Sequence, residues 1–330
     1  MATLFITEQG SIIRKTGDRL IVEKDDAVLL EIPCLKIETV LLYGNVQVTT
    51  QALAKMLDHG IELALLSRSG RLRGQLTPPK AKNIHLRMRQ YEASGDTSFC
   101  LGFARAIVAA KIASSAAVLW RFQKNHPEVL ADSEIADVER AAENLDAVSS
   151  LDALRGLEGL AAARYFRCLG RLVPSEIGFE TRNRRPPRDP LNALLSFGYV
   201  LVGNEIQALL DAMGFDPYLG FFHQLDHGRP SLALDLLEEL RAPVVDRLSL
   251  RMLNLGILDR SSFTTTPEGG VVLEREALKR YFAAYEKELT KPVAMDGETA
   301  SFRELIRRQA ERLARALTHG EAYQPLRLPC

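Results

Sequence analysis

The stretch Tyr218–Arg241, YLGFFHQLDHGRPSLALDLLEELR, concentrates residue types that bind hard cations. His223 follows Phe221-Phe222, and Asp235, Glu238 and Glu239 come soon after. Between them stands Gly228-Arg229-Pro230, which no regular helix crosses easily. One imidazole and several carboxylates across a turn could make a hard-cation site with one nitrogen ligand. The same letters also fit a loop leading into a solvated helix face. His227 would pair with His223 as H-x-x-x-H on a continuous helix. The glycine-proline break and the lack of a downstream acidic partner weaken that pairing. On the helix expected from Ser231, residues Leu232, Ala233, Leu236, Leu237 and Leu240 form the core stripe. Asp235 and Glu238 share the flank away from it, which alone is expected to be solvated.

Two further stretches add chemistry. On the helix expected at 151–169, Leu151, Leu154, Ala161, Ala162 and Tyr165 share one face with Glu158. A carboxylate facing a core must be paired, protonated or bound to metal. An ion pair with Arg155 or Arg164 is the simplest of these. In Phe179–Tyr199, Arg182, Arg184, Arg185 and Arg188 crowd beside Pro186-Pro187. Asp189-Pro190 then reads as a helix N-cap with proline at the first helical position, and Asn192 and Ser196 follow one turn apart. Stiff, arginine-rich loops suit phosphate, which guanidinium groups bind bidentately; a solvated surface loop fits equally well. Jointly, the core-facing Glu, the His, the flank carboxylate and the arginine loop point to metal-assisted chemistry on nucleic acid.

The elements that must position these residues fall into two parts. Residues 1–76 read as short strands at 4–6, 20–22, 28–32, 37–42, 61–66 and 71–76, with one helix from Thr49 or Thr50 to Leu57. Such a pattern predicts a small β-sandwich, and no catalytic cluster is evident in it. Residues 77–81 are a linker containing Pro78-Pro79. From 82 to 330 the spacing is helical, at 84–93, 98–124, 133–145, 151–169, 190–213, 231–240, 244–255, 274–289 and 302–317. A hairpin is expected at 263–273. The fold class is therefore α+β, a small β-sandwich followed by a larger all-α domain.

Composition narrows the partners less. Hydrophobic residues at 46% and charged residues at 25% are ordinary for a globular chain of 330 residues. Lys+Arg and Asp+Glu are equal at 42, so any polyanion must be met by local charge. One such cluster is Arg68, Arg71, Arg73, Lys80, Lys82, Arg87 and Arg89, a run without acids. It is either a solvated surface or a phosphate contact. Cys34, Cys100, Cys168 and Cys330 form no C-x-x-C pair and are expected as reduced thiols. MATLFITEQGS is too polar for a signal peptide. The apolar run Phe103–Trp120 is interrupted by Arg105 and Lys111, so no membrane span is predicted. A cytoplasmic protein is expected.

The order of motifs resembles the CRISPR-associated integrase family of spacer acquisition, the "first Cas" protein, also called CRISPR-associated endonuclease. The likeness is carried by LLYGNVQVTTQAL at 41–53, SRSGRLRGQL at 67–76 and LRGLEGLAAARYF at 154–166. RNRRPPRDPLNALLSFGYVLV at 182–202 and FFHQLDHGRPSLALDLLEELRAPVVDRL at 221–248 complete it. The resemblance implies a dimerising N-terminal sandwich and a helical catalytic domain. It also implies a homodimer that assembles with a small companion, the "second Cas" protein, and inserts short DNA duplexes into the CRISPR repeat array. Glu158 and His223 match the family's first two metal ligands, and Glu238 is taken as the third. Asp235, one turn earlier, is the alternate ligand or a residue behind the ligands, as is Asn192. Mg2+ is tolerated by this donor set and Mn2+ suits it better. The implied reaction is attack of a DNA 3′-hydroxyl on a repeat phosphodiester, with Arg182, Arg184, Arg185 and Arg229 on phosphates. A DNA-binding scaffold without catalysis would leave Glu158 salt-bridged. A hydrolase of small phosphate esters would leave the arginine loop unexplained.

Overall fold

A computed structural model describes residues 2–67, 72–77, 83–295 and 298–326. Arg68, Arg71, Lys80 and Lys82 of the basic run, most of the linker 77–81, and Cys330 lie outside the described residues. The chain forms two compact units, Met1–Ala81 and Lys82–Cys330.

The first unit contains β1 (Ala2–Ile6), β2 (Ile12–Thr16), β3 (Arg19–Lys24), β4 (Ala27–Pro33), β5 (Ile37–Tyr43), β6 (Gln47–Val48), α1 (Thr50–Asp58), β7 (Glu62–Leu66) and β8 (Leu72–Leu76). Two four-stranded sheets result, ordered β1-β5-β7-β8 and β4-β3-β2-β6. Their apolar faces share one core: Ile6, Val40, Leu42 and Leu63 from the first sheet meet Ile13, Leu20 and Val22 from the second, with Ala52 and Met56 of α1. This is the expected sandwich. β2 was not foreseen, because Arg14 and Lys15 interrupt its apolar run. It pairs antiparallel with β3 from Ile12↔Glu23 to Thr16↔Arg19. Asp25 and Asp26 turn β3 into β4 with φ of 50° and 61°, the left-handed geometry that a two-residue hairpin turn demands.

The second unit is built on α2 (Ile84–Ser94), α3 (Thr97–Gln123), α4 (Asp132–Glu139), α5 (Leu151–Arg171), α6 (Pro190–Met213), α7 (Ser231–Leu237), α8 (Arg247–Asn254), α9 (Arg275–Thr290) and α10 (Phe302–His319). Two hairpins interrupt the helices: β9 (Phe263–Thr265) with β10 (Val271–Leu273), as expected, and β11 (Pro292–Met295) with β12 (Glu298–Ser301). Local chemistry sets the helix ends. Asp96 caps α3 through the N–H groups of Ser98 and Phe99. Asp189 caps α6 through Asn192 N, with Pro190 next and Gly214 closing the other end at φ +96°. α3 and α6 are long and apolar enough to cross a membrane, yet 56% and 67% of their apolar windows are buried within the protein. They are the core helices on which the rest of the unit packs.

The expected helices at 231–240 and 244–255 do not form as written. α7 ends at Leu237, and Arg241–Asp246 is π-helical before α8 begins. Pro243 has no N–H to continue an α-helical ladder, so the chain opens into the wider winding there. Gly198 of α6 makes room for it: a Cβ at that position would stand 2.4 Å from Val245 Cγ1 and 2.5 Å from Tyr281 Oη. Close approach of α6 thus brings Tyr199 against the π segment that carries Arg241 and Asp246.

Candidate metal centre and substrate cleft

Asp235 is the hub of the local structure. Its carboxylate is fully buried, against the expectation of a solvated flank. Oδ2 accepts from the N–H groups of Phe221 (2.7 Å) and Phe222 (3.1 Å). Oδ1 accepts from His223 N–H (2.9 Å) and His223 Nδ1 (2.7 Å). A Cβ on Gly220 would lie 2.7 Å from Oδ2, so the chain wraps the carboxylate only because that residue is glycine. An ionised carboxylate can only accept, so Nδ1 is the donor and Nε2 is the ring edge left for other work. Asp235 is thereby committed to His223 and its loop. His227, in contrast, lies exposed on the turn.

Glu238 and Glu158 converge where His223 points. Lys111 of α3 bridges them, pairing with Glu158 Oε1 and standing 2.6 Å from Glu238 Oε2. Because both carboxylates touch one ammonium, they sit within two ion-pair contacts of each other. His223 Nε2 lies 3.5 Å from Glu238 Oε1, and Arg241 Nε lies 2.9 Å from Glu238 Oε2. Arg241 also stacks over Tyr199, 4.5 Å from the ring centre. Burial alone would raise Glu238, but Arg241, Lys111 and His223 together hold it well below the ordinary carboxylate range. Burial works against a charged His223, and its hydrogen bonds to Asp235 and Glu238 outweigh that and raise it. Glu158 is ion-paired, the simplest of the expected states, but with Lys111 and not with the expected arginines, which are otherwise engaged. Arg155 pairs with Asp152 and donates to Phe222 O, and Arg164 donates to Asp137 O.

Among the described residues, no group of three or more His, Cys, Asp and Glu stands close enough together to hold a metal ion as they are placed. The Lys111 ammonium stands between the carboxylates of Glu158 and Glu238 and pairs with both. An ammonium shared by two carboxylates beside an imidazole edge marks a point where a cation is favoured. Carboxylate oxygens and an imidazole nitrogen are donor types that Mg2+ and Mn2+ accept. The Asp235–His223 pair has the same form as the carboxylate–histidine pairs that orient histidines at metal sites.

Above this point opens a cleft of about 920 Å³, lined by Lys111, Glu158, His223 and Glu238 and by the cations Arg155, Arg184, Arg185, Arg229 and Arg241. The other two residues expected to serve substrate or ligands are placed differently. Arg182 donates to Asn192 Oδ1 (2.7 Å) and Ser196 Oγ (3.1 Å), lies over Tyr199, and does not line the cleft. Asn192 is fully buried and, besides Arg182, binds Asn183 N, Thr181 O and Asp189. It touches none of the three candidate ligands; it pins the arginine loop to α6. The β9–β10 hairpin supports the loop's far side, where Val271 N–H donates to Pro187 O at 2.8 Å. Arg184 and Arg185 are presented to the cleft by these supports.

Glu239 faces the opposite way. It accepts from Tyr323 Oη, Leu326 N and Gln309 Nε2, and burial pushes it up to about 7 against those bonds. Asp246, unmarked in the sequence reading, accepts from Tyr165 Oη (2.8 Å) and Tyr199 Oη (2.6 Å). It helps line a cavity of about 50 Å³ that shares Lys111, Glu158 and Arg241 with the cleft. Lys111, Arg241 and Asp246 had one detectable signal: charged residues within apolar helical runs.

Burial raises Asp246 from 3.8 to about 6, although both tyrosines and the Arg241 and Arg182 charges pull it down. The folded protein therefore holds this proton more tightly than the unfolded chain. The associated stability is full below the unfolded value and is lost as pH rises through about 6, a change of about 3 kcal/mol. Asp246→Asn removes the titration. Unfolding free energies from urea titrations between about pH 4 and pH 7 should shift in favour of the variant by most of that amount; parallel profiles would contradict it.

A sequence model of the family described as CRISPR associated protein Cas1 matches residues 4–287. A CRISPR-associated endonuclease Cas1 of Rhodospirillum rubrum is 35% identical over 296 residues, covering 86% of this chain and 85% of the relative. A Cas6-RT-Cas1–Cas2 complex contains a chain with TM-score 0.84 and 26% identity, over 98% of this chain and 35% of that one. A casposase bound to integration product shares the fold at TM-score 0.87, with 24% identity over 98% of this chain and 93% of the other.

Proposed function

The chain belongs to the Cas1 endonuclease and integrase family of CRISPR adaptation, and from that premise we propose that it inserts spacer DNA by metal-dependent strand transfer. Glu158, His223 and Glu238 would hold Mg2+ or Mn2+. The observation that carries this is the ammonium of Lys111 shared by Glu158 and Glu238, with His223 Nε2 turned to the same carboxylate at an arginine-lined cleft. When bound, the metal lowers the pKa of the attacking 3′-hydroxyl and offsets charge on the phosphate. The protein does the rest. Asp235 fixes the imidazole so that Nε2 faces the centre, and Arg241 keeps Glu238 ionised. Arg184, Arg185 and Arg229 hold the DNA backbone in line, where positioning and charge supply most of the catalysis of phosphoryl transfer. Binding by backbone charge would weaken steeply with salt.

The test is strand transfer of a labelled duplex with free 3′-hydroxyls into a repeat-bearing target, with purified companion protein, in Mg2+ and in Mn2+. Wild type should give joined products, and His223→Ala should give none while still binding duplex. Wild-type transfer by His223→Ala would remove this site from the chemistry. Absence of transfer by the wild type in both metals would favour the scaffold.

Two partners follow the same reading. The similar chain in the Cas6-RT-Cas1–Cas2 complex assembles with Cas2, and a Cas2-like companion is proposed here. Its DNA substrates put the protein in the cytoplasm. For the homodimer the first unit offers edge strand β4, with Val28 58% and Leu29 50% exposed, and Leu35 beyond it at 78%. Apolar side chains clustered on an edge strand are a surface that association would cover. Leu35→Asp with Val28→Asp should convert a dimer to monomer in light scattering without changing the circular dichroism spectrum. A persistent dimer would place the interface elsewhere.

A further inference from the structure

Lys111 lies on α3, a largely apolar core helix, and its side chain keeps only 17% exposure. Burying a lysine in such a helix is costly unless the charge is paired. Here it is paired twice, with the two carboxylates proposed to hold the metal. Lys111 and the divalent ion therefore compete for the same oxygens: one ammonium cannot lie between Glu158 and Glu238 while a metal draws both to about 2 Å.

The lysine also has somewhere to go. Its stem is four carbons long and freely jointed, and the side chain already lines the large cleft together with Arg155 and Arg184. The cavity on the other side is only about 50 Å³. A volume that small has no room for the displaced ammonium and its stem, whereas the cleft of about 920 Å³ has, so the cleft is the favoured direction. Glu238 does not lose its charge balance in the exchange, because Arg241 stays on Oε2.

We propose that Lys111 is a built-in counter-ion that exchanges places with the divalent cation, holding Glu158 and Glu238 together without metal and passing into the cleft as a phosphate contact once metal binds. This rests on the metal-centre reading above. Without metal, the ammonium prevents repulsion between the two carboxylates. With metal, a positive charge reaches the substrate phosphate only when the site is loaded. Lys111 is a positioning residue in the first state and touches substrate in the second.

The experiment measures Mn2+ affinity by calorimetry, starting from chelator-treated full-length protein, for wild type, Lys111→Met, Lys111→Arg and Arg184→Met. Removing the competitor should tighten Mn2+ binding by Lys111→Met about tenfold, the equivalent of one charge-assisted contact. Lys111→Arg keeps the charge and should bind Mn2+ no more tightly than wild type. Arg184→Met lines the same cleft without touching the carboxylates and should change the affinity little. A second readout is duplex binding against salt: Lys111→Met should lower the log–log slope by about one in Mn2+ and leave it unchanged in chelator. Equal Mn2+ affinity in wild type and Lys111→Met overturns the exchange, as does an equal gain in Arg184→Met, which would make it a matter of total cleft charge. Tighter Mn2+ binding with an unchanged slope in Mn2+ overturns the transfer to phosphate. If Lys111→Met does not fold, Lys111→Arg still decides, because tighter Mn2+ binding by that variant contradicts competition. Mn2+ binding by wild type that survives Glu158→Gln would instead overturn the metal-centre reading itself, and the exchange with it.

Discussion

Glu158→Gln is expected to lower strand transfer by at least about 10³-fold, because the metal supplies several kcal/mol of charge stabilisation at the phosphate and this variant removes one of its anionic ligands. The substitution keeps the size and much of the polarity of the side chain, so α5 and the cleft should persist. Lys111 retains Glu238 as its partner, and Arg184, Arg185 and Arg229 remain available to DNA. Duplex binding should therefore be close to wild type while joined product disappears. A binding defect as large as the catalytic one would mean that Glu158 shapes the DNA surface instead. Transfer at the wild-type rate would leave Glu158 as nothing more than the anion that keeps Lys111 buried.

Asp235→Ala is expected to be the most destabilising single change in the site. It strands three backbone N–H groups, those of Phe221, Phe222 and His223, and the imidazole Nδ1–H. Stranded buried donors cost about 1–3 kcal/mol each, partly relieved by relaxation and water, so a loss of about 3–5 kcal/mol is expected in urea unfolding. Asp235→Asn separates the roles. Its single carbonyl oxygen can serve part of the cradle, but its amide cannot accept from Nδ1. Mn2+ affinity should fall by about 10- to 100-fold, as it does when the partner behind a metal-binding histidine is lost. An Asn variant with wild-type Mn2+ affinity would show that His223 is oriented by its loop alone.

The sequence marked some of this site clearly and hid the rest for identifiable reasons. Glu158 could be singled out because α5 has one apolar stripe and the carboxylate sits on it. The same periodicity misjudged Asp235 and Glu238. It reports the face that meets the main core, but a second covering layer is invisible to it. That layer comes from the Gly220–His223 loop over Asp235, and from Lys111, Arg241 and His223 around Glu238. Lys111 was read only as a charge that spoils a membrane span, although a lysine in an apolar helix raises the same question as a glutamate there. The arginine loop looked uniform, four guanidiniums beside two prolines. Only the packing of Asn192 and Ser196 separates Arg182, which is spent on the scaffold, from Arg184 and Arg185, which face the cleft. The π-helical segment has no period of its own to detect, and Pro243 was its one warning. In the first unit, β2 has no legible strand pattern because Arg14 and Lys15 break its apolar run.

A single divalent ion held by Glu158, His223 and Glu238 is the centre of the proposed chemistry. Anomalous diffraction from crystals grown with Mn2+ tests it most directly. The expected result is a peak at about 2.0–2.3 Å from a carboxylate oxygen of Glu158, a carboxylate oxygen of Glu238 and His223 Nε2, with Asp235 still on Nδ1 and Lys111 moved out of the carboxylate pair. A Mn2+ peak bound by other residues, or density showing Lys111 still bridging Glu158 and Glu238 in crystals of protein active in strand transfer, would contradict it.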